Sequence, residues 1–305
     1  NAAIVPSTKT SSKALYWIEE SKFKSLNLLW GLRYEMQNIS PNVNAIYAGG
    51  DPQFSSGSYL PSLIIDRQLG LWSYSMVADW KWGSSYGSSL GYTRSQRAPS
   101  VVELYGYGSH DSTATFIVGN SNLSPETSHD IELKIYKSVG LLQAKANLYW
   151  IHFDNYIYGL NTGSYSSANN NFSVVTTNQG AATIHGLESE LSYLFSEQNL
   201  ILRLFGDINR GTFDIGGNLP LQPAPRLGLG IKHELNQLTT QITYVHAFMQ
   251  NHLATFEVGP TPSYNLLNFD MSYKQRIQGV NWLSYIKVSN LLNQDIRYAT
   301  TPETV

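Results

Sequence analysis

Metal and proton-transfer chemistry depends on imidazole, thiolate and carboxylate groups, and this chain has seven histidines, 22 acidic residues and no cysteine. The histidines are His110, His129, His152, His185, His233, His246 and His252. No two have the helical spacing of a hydrolytic zinc site, and no H-E-x-x-H occurs. Without cysteine there is no thiolate metal site, thiol nucleophile or disulfide scaffold. A serine on a G-x-S-x-G turn is missing, as is a phosphate-cradling G-x-x-x-x-G-K loop. The reactive residues therefore suit binding rather than catalysis, and a lone imidazole is by default a polar surface group.

What must position these residues is read in steps of two. In 26–35, Leu26, Leu28, Trp30, Leu32 and Tyr34 alternate with Asn27, Leu29, Gly31, Arg33 and Glu35. A strand sends successive side chains to opposite faces, so the segment has one apolar and one polar face. Ile131, Leu133 and Ile135 repeat the pattern against Glu132 and Lys134, and Leu142–Trp150 against Gln143, Lys145, Asn147 and Tyr149. It returns in 187–195, 227–232 and 267–274. Apolar residues three and four apart, the mark of a helix, do not organise these segments. The fold class is all-β, with about 12 strands: 12–20, 24–36, 69–82, 86–96, 127–137, 141–154, 183–195, 199–207, 225–235, 238–247, 264–275 and 280–290.

The connections alternate in length. Short polar turns fall near Glu20–Lys24, Gly83–Ser85, Ser138–Gly140, Ser196–Gln198, Asn236–Gln237 and Ile277–Gly279. Long Gly/Ser/Asn/Pro-rich loops occupy about Gln37–Ile65, Arg97–Glu126, Asp154–Ala182, Ile208–Ala224 and Phe248–Ser263. In an up-and-down sheet this gathers tight turns at one end and long loops at the other, as in transmembrane β-barrels. Tyr and Trp crowd the strand ends, where an interfacial girdle would lie.

Composition narrows the function. Charged residues are 14% of the chain, and a net charge of -2 supports no basic nucleic-acid groove, so nucleic acid is excluded as a partner. No stretch reaches the ~18 apolar residues of a membrane helix, and no targeting segment is visible at Asn1. A propeller would repeat every ~40–50 residues, and no such repeat exists. A soluble carbohydrate-binding β-protein remains the rival from another class, because it too would use surface Tyr and Trp.

Several motifs resemble one family. Arg97-Ala98-Pro99 followed by Glu103-Leu104-Tyr105 is similar to the R-x-P and E-L-[FY] passage of TonB-dependent outer-membrane receptors. Gly119-Asn120 through Leu123, Pro125-Glu126 and Ser128 resembles that family's G-N-x-x-L-x-P-E-x-S stretch, and Ile184 to Glu190 its I-x-G-[VL]-E-x-E strand. Leu219-Pro220, Pro225-Arg226 and Asn290-Leu291-Leu292-Asn293 fit later landmarks in order. The resemblance implies an antiparallel barrel of 22 strands in the outer membrane of a Gram-negative bacterium, closed around a plug. Residues 1–305 are then expected to be a single partial barrel, lacking plug and early strands and stopping before the last strand. The implied partners are that plug and those strands, outer-membrane lipid, the TonB energising complex of the inner membrane, and a metal or metal chelate. No resident cofactor and no enzyme activity are implied.

Within the family, Gly106 to Phe116 around His110 resembles the zinc-receptor branch, which makes zinc the expected transported substrate and His110 a ligand, with Asp111 assisting. Imidazole nitrogen and carboxylate oxygen both suit Zn²⁺. An iron-siderophore or haem receptor is the alternative. His246 and His252 flank a loop that also holds Glu257, a candidate outer capture site for metal. Arg94 and Arg97 are expected to pair with carboxylates at the barrel rim.

Overall fold

The computed structural model describes residues 4–42, 64–166, 171–255, 257 and 259–301. Its strands are β1 (Thr8–Phe23), β2 (Leu26–Pro41), β3 (Arg67–Lys81), β4 (Tyr86–Arg97), β5 (Tyr107–His110), β6 (Thr115–Val118), β7 (Glu126–Lys137), β8 (Leu142–Tyr165), β9 (Ser173–Phe195), β10 (Leu200–Phe213), β11 (Arg226–Leu235), β12 (Leu238–Ala247), β13 (Tyr264–Ile277) and β14 (Val280–Val288). All but β5 and β6 form one antiparallel wall in chain order, each strand beside its predecessor. These twelve are the strands expected from the alternation. Among the described residues β1 and β14 do not pair, so the wall is an open sheet.

Tight turns close one end. Asn236 (φ 52°) and the pair Gln278 and Gly279 (φ 50° and 84°) occupy the left-handed region that such hairpins require.

At the other end two expected loops are structured. The segment expected as a loop from Asp154 to Ala182 instead continues the β8–β9 hairpin, paired from Tyr156↔Gly180 out to Tyr165↔Ser173, with one register shift between Phe153 and Tyr156 and another between Asn161 and Tyr165. The Arg97–Glu126 connection holds a short helix, α1 (Val101–Tyr105), and the β5–β6 hairpin. β6 then pairs in parallel with β9, Thr115 opposite Ser173 and Val118 opposite Thr176. The expected loop at 37–65 begins as further residues of β2, and 43–63 lie outside the described residues.

The two faces of the wall differ as the alternation requires. Leu148 is 49%, Trp150 42% and Leu229 40% exposed, and among the described residues no second layer covers them. A soluble sandwich would bury these side chains. The opposite face carries paired charge: Glu190 accepts from Arg203 at 2.7 Å and contacts Lys145 at 3.2 Å. Arg226 pairs with Asp207 at 2.9 Å, and Tyr136 donates to Asp79 at 3.1 Å. Glycines on this face give room for rings from the neighbouring strand. A Cβ at Gly87, Gly186 or Gly228 would run into Tyr136, Tyr149 or Phe205.

The buried apolar cluster lies at the long-loop end. Ile39, Leu69 and Leu71 stand on the polar-face parity of β2 and β3, and there they pack with Leu104 and Tyr105 of α1, Leu123 and Ile157. The connection after β4 thus folds over the polar face rather than away from it.

Candidate ligand-contact surface at the long-loop end

The segment 98–125 is an anchored cap, and its anchors follow from local chemistry. Ser100 caps α1 by accepting from the Glu103 amide, while the Glu103 carboxylate accepts from the Ser100 amide at 2.6 Å, a reciprocal capping box. The same carboxylate receives Arg97 Nη1 at 2.9 Å. Arg97 also reaches both oxygens of Glu126, at 3.1 and 3.2 Å, and Glu126 accepts the Ile157 amide at 2.7 Å. One guanidinium therefore joins the end of β4, the helix, the start of β7 and β8. Burial alone would raise the Glu103 carboxyl, but Arg97 and the Ser100 amide outweigh it and hold Glu103 below the usual carboxylate range.

Further ties come from residues that carry no sequence signal. Arg67 donates to the carbonyls of Ser121 and Leu123. Gln179 exchanges hydrogen bonds with the Ser124 backbone at 2.8 and 2.9 Å, and Asn155 reaches Ser124 Oγ at 2.7 Å. Tyr105 donates to the Ile65 carbonyl at 2.7 Å. Only the folded partners reveal these roles, because Gln, Asn and Tyr are common throughout the chain.

His110 ends β5. Its Nδ1 lies 2.9 Å from Thr113 Oγ1 and 3.1 Å from Ser112 Oγ, while Nε2 has no protein partner among the described residues. Asp111 opens the following turn and is exposed. His110 pairs with Thr115, and Thr115 with Ser173, nine residues and about 30 Å along β9 from Ala182. The imidazole thus sits at the distal tip of the cap, remote from the strand-lined interior.

The other expected donors are dispersed. His246 is on the apolar-face parity of β12 with Ile242 and Tyr244, its Nδ1 2.8 Å from Asn265 Oδ1. His252 is exposed in the following loop, where its amide donates to Gln250. Both Glu257 oxygens accept loop amides, from Leu221 at 3.0 Å and Ala254 at 2.6 Å. No hydrogen bond or ring contact joins these three residues to one another. Among the described residues no group of three or more His, Asp or Glu side chains is placed to hold a metal ion. Arg97 has the expected carboxylate partners; Arg94 does not, and donates to the Trp72 carbonyl instead, because it faces the apolar side.

Reading parity strand by strand gives a result that the histidine inventory alone did not. His129, His152, His185, His233 and His246 all share the parity of the exposed apolar residues, and His110 and His252 lie in loop segments. No histidine projects from the polar face of the wall.

Residues 2–291 match the family described as TonB dependent receptor-like, beta-barrel. The chain belongs to that family, whose members are outer-membrane proteins of Gram-negative bacteria and are transporters and receptors rather than enzymes. Among solved structures, it superposes on "Copper transporter OprC" with a TM-score of 0.70 at 17% identity, covering 96% of this chain and 43% of that one. The FrpB iron transporter from Neisseria meningitidis (F5-1 variant) gives 0.66 at 12% identity, covering 99% and 44%. The siderophore receptor PirA from Pseudomonas aeruginosa gives 0.60 at 16%, covering 94% and 55%. The chain spans about half the length of these structures, and at such identities the likeness shows the fold. In this family the apolar face meets lipid, the polar face lines the lumen and the long loops are extracellular.

Proposed function

We propose that this chain forms part of the wall of an outer-membrane receptor that takes up a scarce metal, with zinc as the substrate. The observation that carries the reading is His110. Its ring is oriented through Nδ1 by two hydroxyls, which leaves Nε2 without a protein partner among the described residues, on a cap tied to β3, β4, β8 and β9. Imidazole and carboxylate donors without any thiolate favour zinc over softer ions. Substrate would meet the extracellular cap first and pass to the lumen, with a plug and the TonB energising complex supplying gating and energy. Zinc normally takes four ligands, so His110 and Asp111 would need donors from beyond this chain, and His246, His252 and Glu257 are too scattered to form a capture site without rearrangement.

The test is zinc calorimetry on the intact receptor. His110→Ala should lower affinity by about tenfold or more, and unchanged binding would remove zinc while leaving the receptor reading intact. A second reading, uptake of an iron-siderophore or haem, is favoured by the lack of any converging donor set in the described residues. A preformed chelate brings its own ligands and needs only hydrogen bonds and aromatic contact. Tight binding of a ferric chelate that His110→Ala does not weaken would select it.

A further inference from the structure

Apart from the 98–125 cap, two other long-loop segments touch each other: 214–225, which leads from β10 to β11, and 248–263, which leads from β12 to β13. The first turns back onto the polar face. Leu219 is 2% exposed and rests on Gly211, which shares the parity of Arg203, Phe205 and Asp207. A Cβ at Gly211 would lie 2.9 Å from Leu219 Cδ1, so glycine is what lets the loop come this close.

Two buried carboxamides join the pair. Gln222 accepts the Gly211 amide at 2.6 Å and donates to the carbonyls of Gly211 and Leu219, each at 2.9 Å, which closes its own loop onto β10. Gln250 divides its carboxamide between the two loops. Its Oε1 accepts the His252 amide of its own loop at 2.8 Å. Its Nε2 donates across to the carbonyls of Gln222 at 3.0 Å and Pro223 at 3.2 Å. Only a group with two donors and an acceptor in one plane can fill either place. Three ties flank the glutamines: Asn218 Nδ2 donates to the Leu253 carbonyl at 2.9 Å, the Leu221 amide to Glu257 at 3.0 Å, and the Phe248 amide to the Pro225 carbonyl at 2.9 Å. Leu221 has φ 55°, a costly conformation for leucine that the bond to Glu257 helps to hold.

We infer that these two loops are one cooperative unit, a second cap that leaves the polar face as a single body, with the Gln222–Gln250 pair as its joint. Each loop belongs to a different hairpin connection, and nothing in the chain order obliges them to move together. The cross-loop bonds do. Lifting either loop breaks them all at once, and Gln250 Nε2 then loses both of its acceptors, because neither lies in its own loop. A ligand that touches only 214–225 therefore orders 248–263 as well, and the reverse holds equally. The inference depends neither on zinc nor on which face meets lipid.

The experiment is native-state amide exchange on the intact receptor, read at Gly211 and Leu219 in the first loop and at Ala254 and Thr261 in the second. All four amides are hydrogen-bonded within the unit. In the unaltered receptor they should share one opening reaction, with the same protection and the same dependence on low urea. Gln250→Glu keeps an acceptor for the His252 amide and removes only the donors that cross between loops. It should lower protection at all four amides by about tenfold or more, with 101–106 and the β8–β9 hairpin unchanged. Asn218→Ala, at the other end of the contact, should lower all four by about threefold. Different urea dependences for the two loops in the unaltered receptor, which requires no variant to fold, would overturn the inference. So would a loss confined to 254–261 in Gln250→Glu, or to 211–219 in Asn218→Ala. Zinc calorimetry is a separate readout, so the substrate reading stands or falls without this one.

Discussion

The two faces of this wall are made from the same strands, one residue out of step, and they solve opposite solvation problems. On the lumen face Glu190, Arg203 and Lys145 pair across strands β8 to β10, in a wet groove where charge is tolerated. On the lipid face Leu148, Trp150 and Leu229 stay exposed because hydrocarbon, not protein, covers them. Every strand of the wall between its two edges, β1 and β14, pairs with a strand on either side instead of with water, as a bilayer requires. Nothing in the composition sets these faces apart; parity does. Histidine follows the same rule, for within the wall it appears only on the lipid side, mostly near the extracellular boundary.

The sharpest break in this comparison is a charge placed on either side of one peptide bond. Leu148→Arg should cost about 2–4 kcal/mol near the middle of the belt and prevent assembly, whereas Asn147→Arg should assemble normally. Heat-modifiable mobility of the intact receptor, followed by urea titration, reads both. Next in size is Glu126→Ala, which strips Arg97 and the Ile157 amide of their shared acceptor. About 1–3 kcal/mol of local stability should be lost, seen as faster amide exchange across 101–106 with little change in the wall. Gly228→Ala tests whether the lumen face depends on ring-over-glycine contacts. The new methyl group collides with Phe205, and displacing that ring should cost about 1–2 kcal/mol, whereas Gly230→Ala meets only ordinary contacts.

The smallest effect is in pH. Glu103 is held below its usual range in the folded cap, so its contribution is complete above the unfolded carboxyl value. It is lost as pH falls through the depressed folded value. Protection at 101–106, taken relative to the intrinsic exchange rate at each pH, should therefore be flat from neutrality down to the carboxylate range and fall below it. Glu103→Gln should remove that dependence, and a persisting acid transition would assign it to another group.

The wall was legible in the sequence because each membrane-crossing segment is wetted on one face only. Leu227, Leu229 and Ile231 against Gly228, Gly230 and Lys232 leave one strand assignment and one register, since a slip of one residue would reverse the faces. The extracellular extension of β8 and β9 was not legible. Residues such as Tyr158, Asn161, Thr162, Thr176 and Asn178 put polar groups on both faces of the hairpin, so their pairing leaves no alternation. β5 and β6 are hidden for the same reason, each being four residues long and held by its neighbours. The candidate site was half legible: the motif around Arg97 and Glu103 marked the cap, and His110 stood out within it. That His110 sits at the tip, and that Glu257 spends both oxygens on loop amides, depends on contacts distant in sequence.

The claim beneath all of this is which side of the wall faces hydrocarbon. Because the sequence contains no cysteine, single replacements at Leu148 and Asn147 in the membrane-embedded receptor give an unambiguous comparison. A spin label on Leu148→Cys should collide with oxygen dissolved in lipid and be shielded from a water-soluble nickel chelate, with the opposite preference on Asn147→Cys. Free access of the nickel chelate to the label at position 148, with lipid-like behaviour at 147, would contradict the assignment of the two faces.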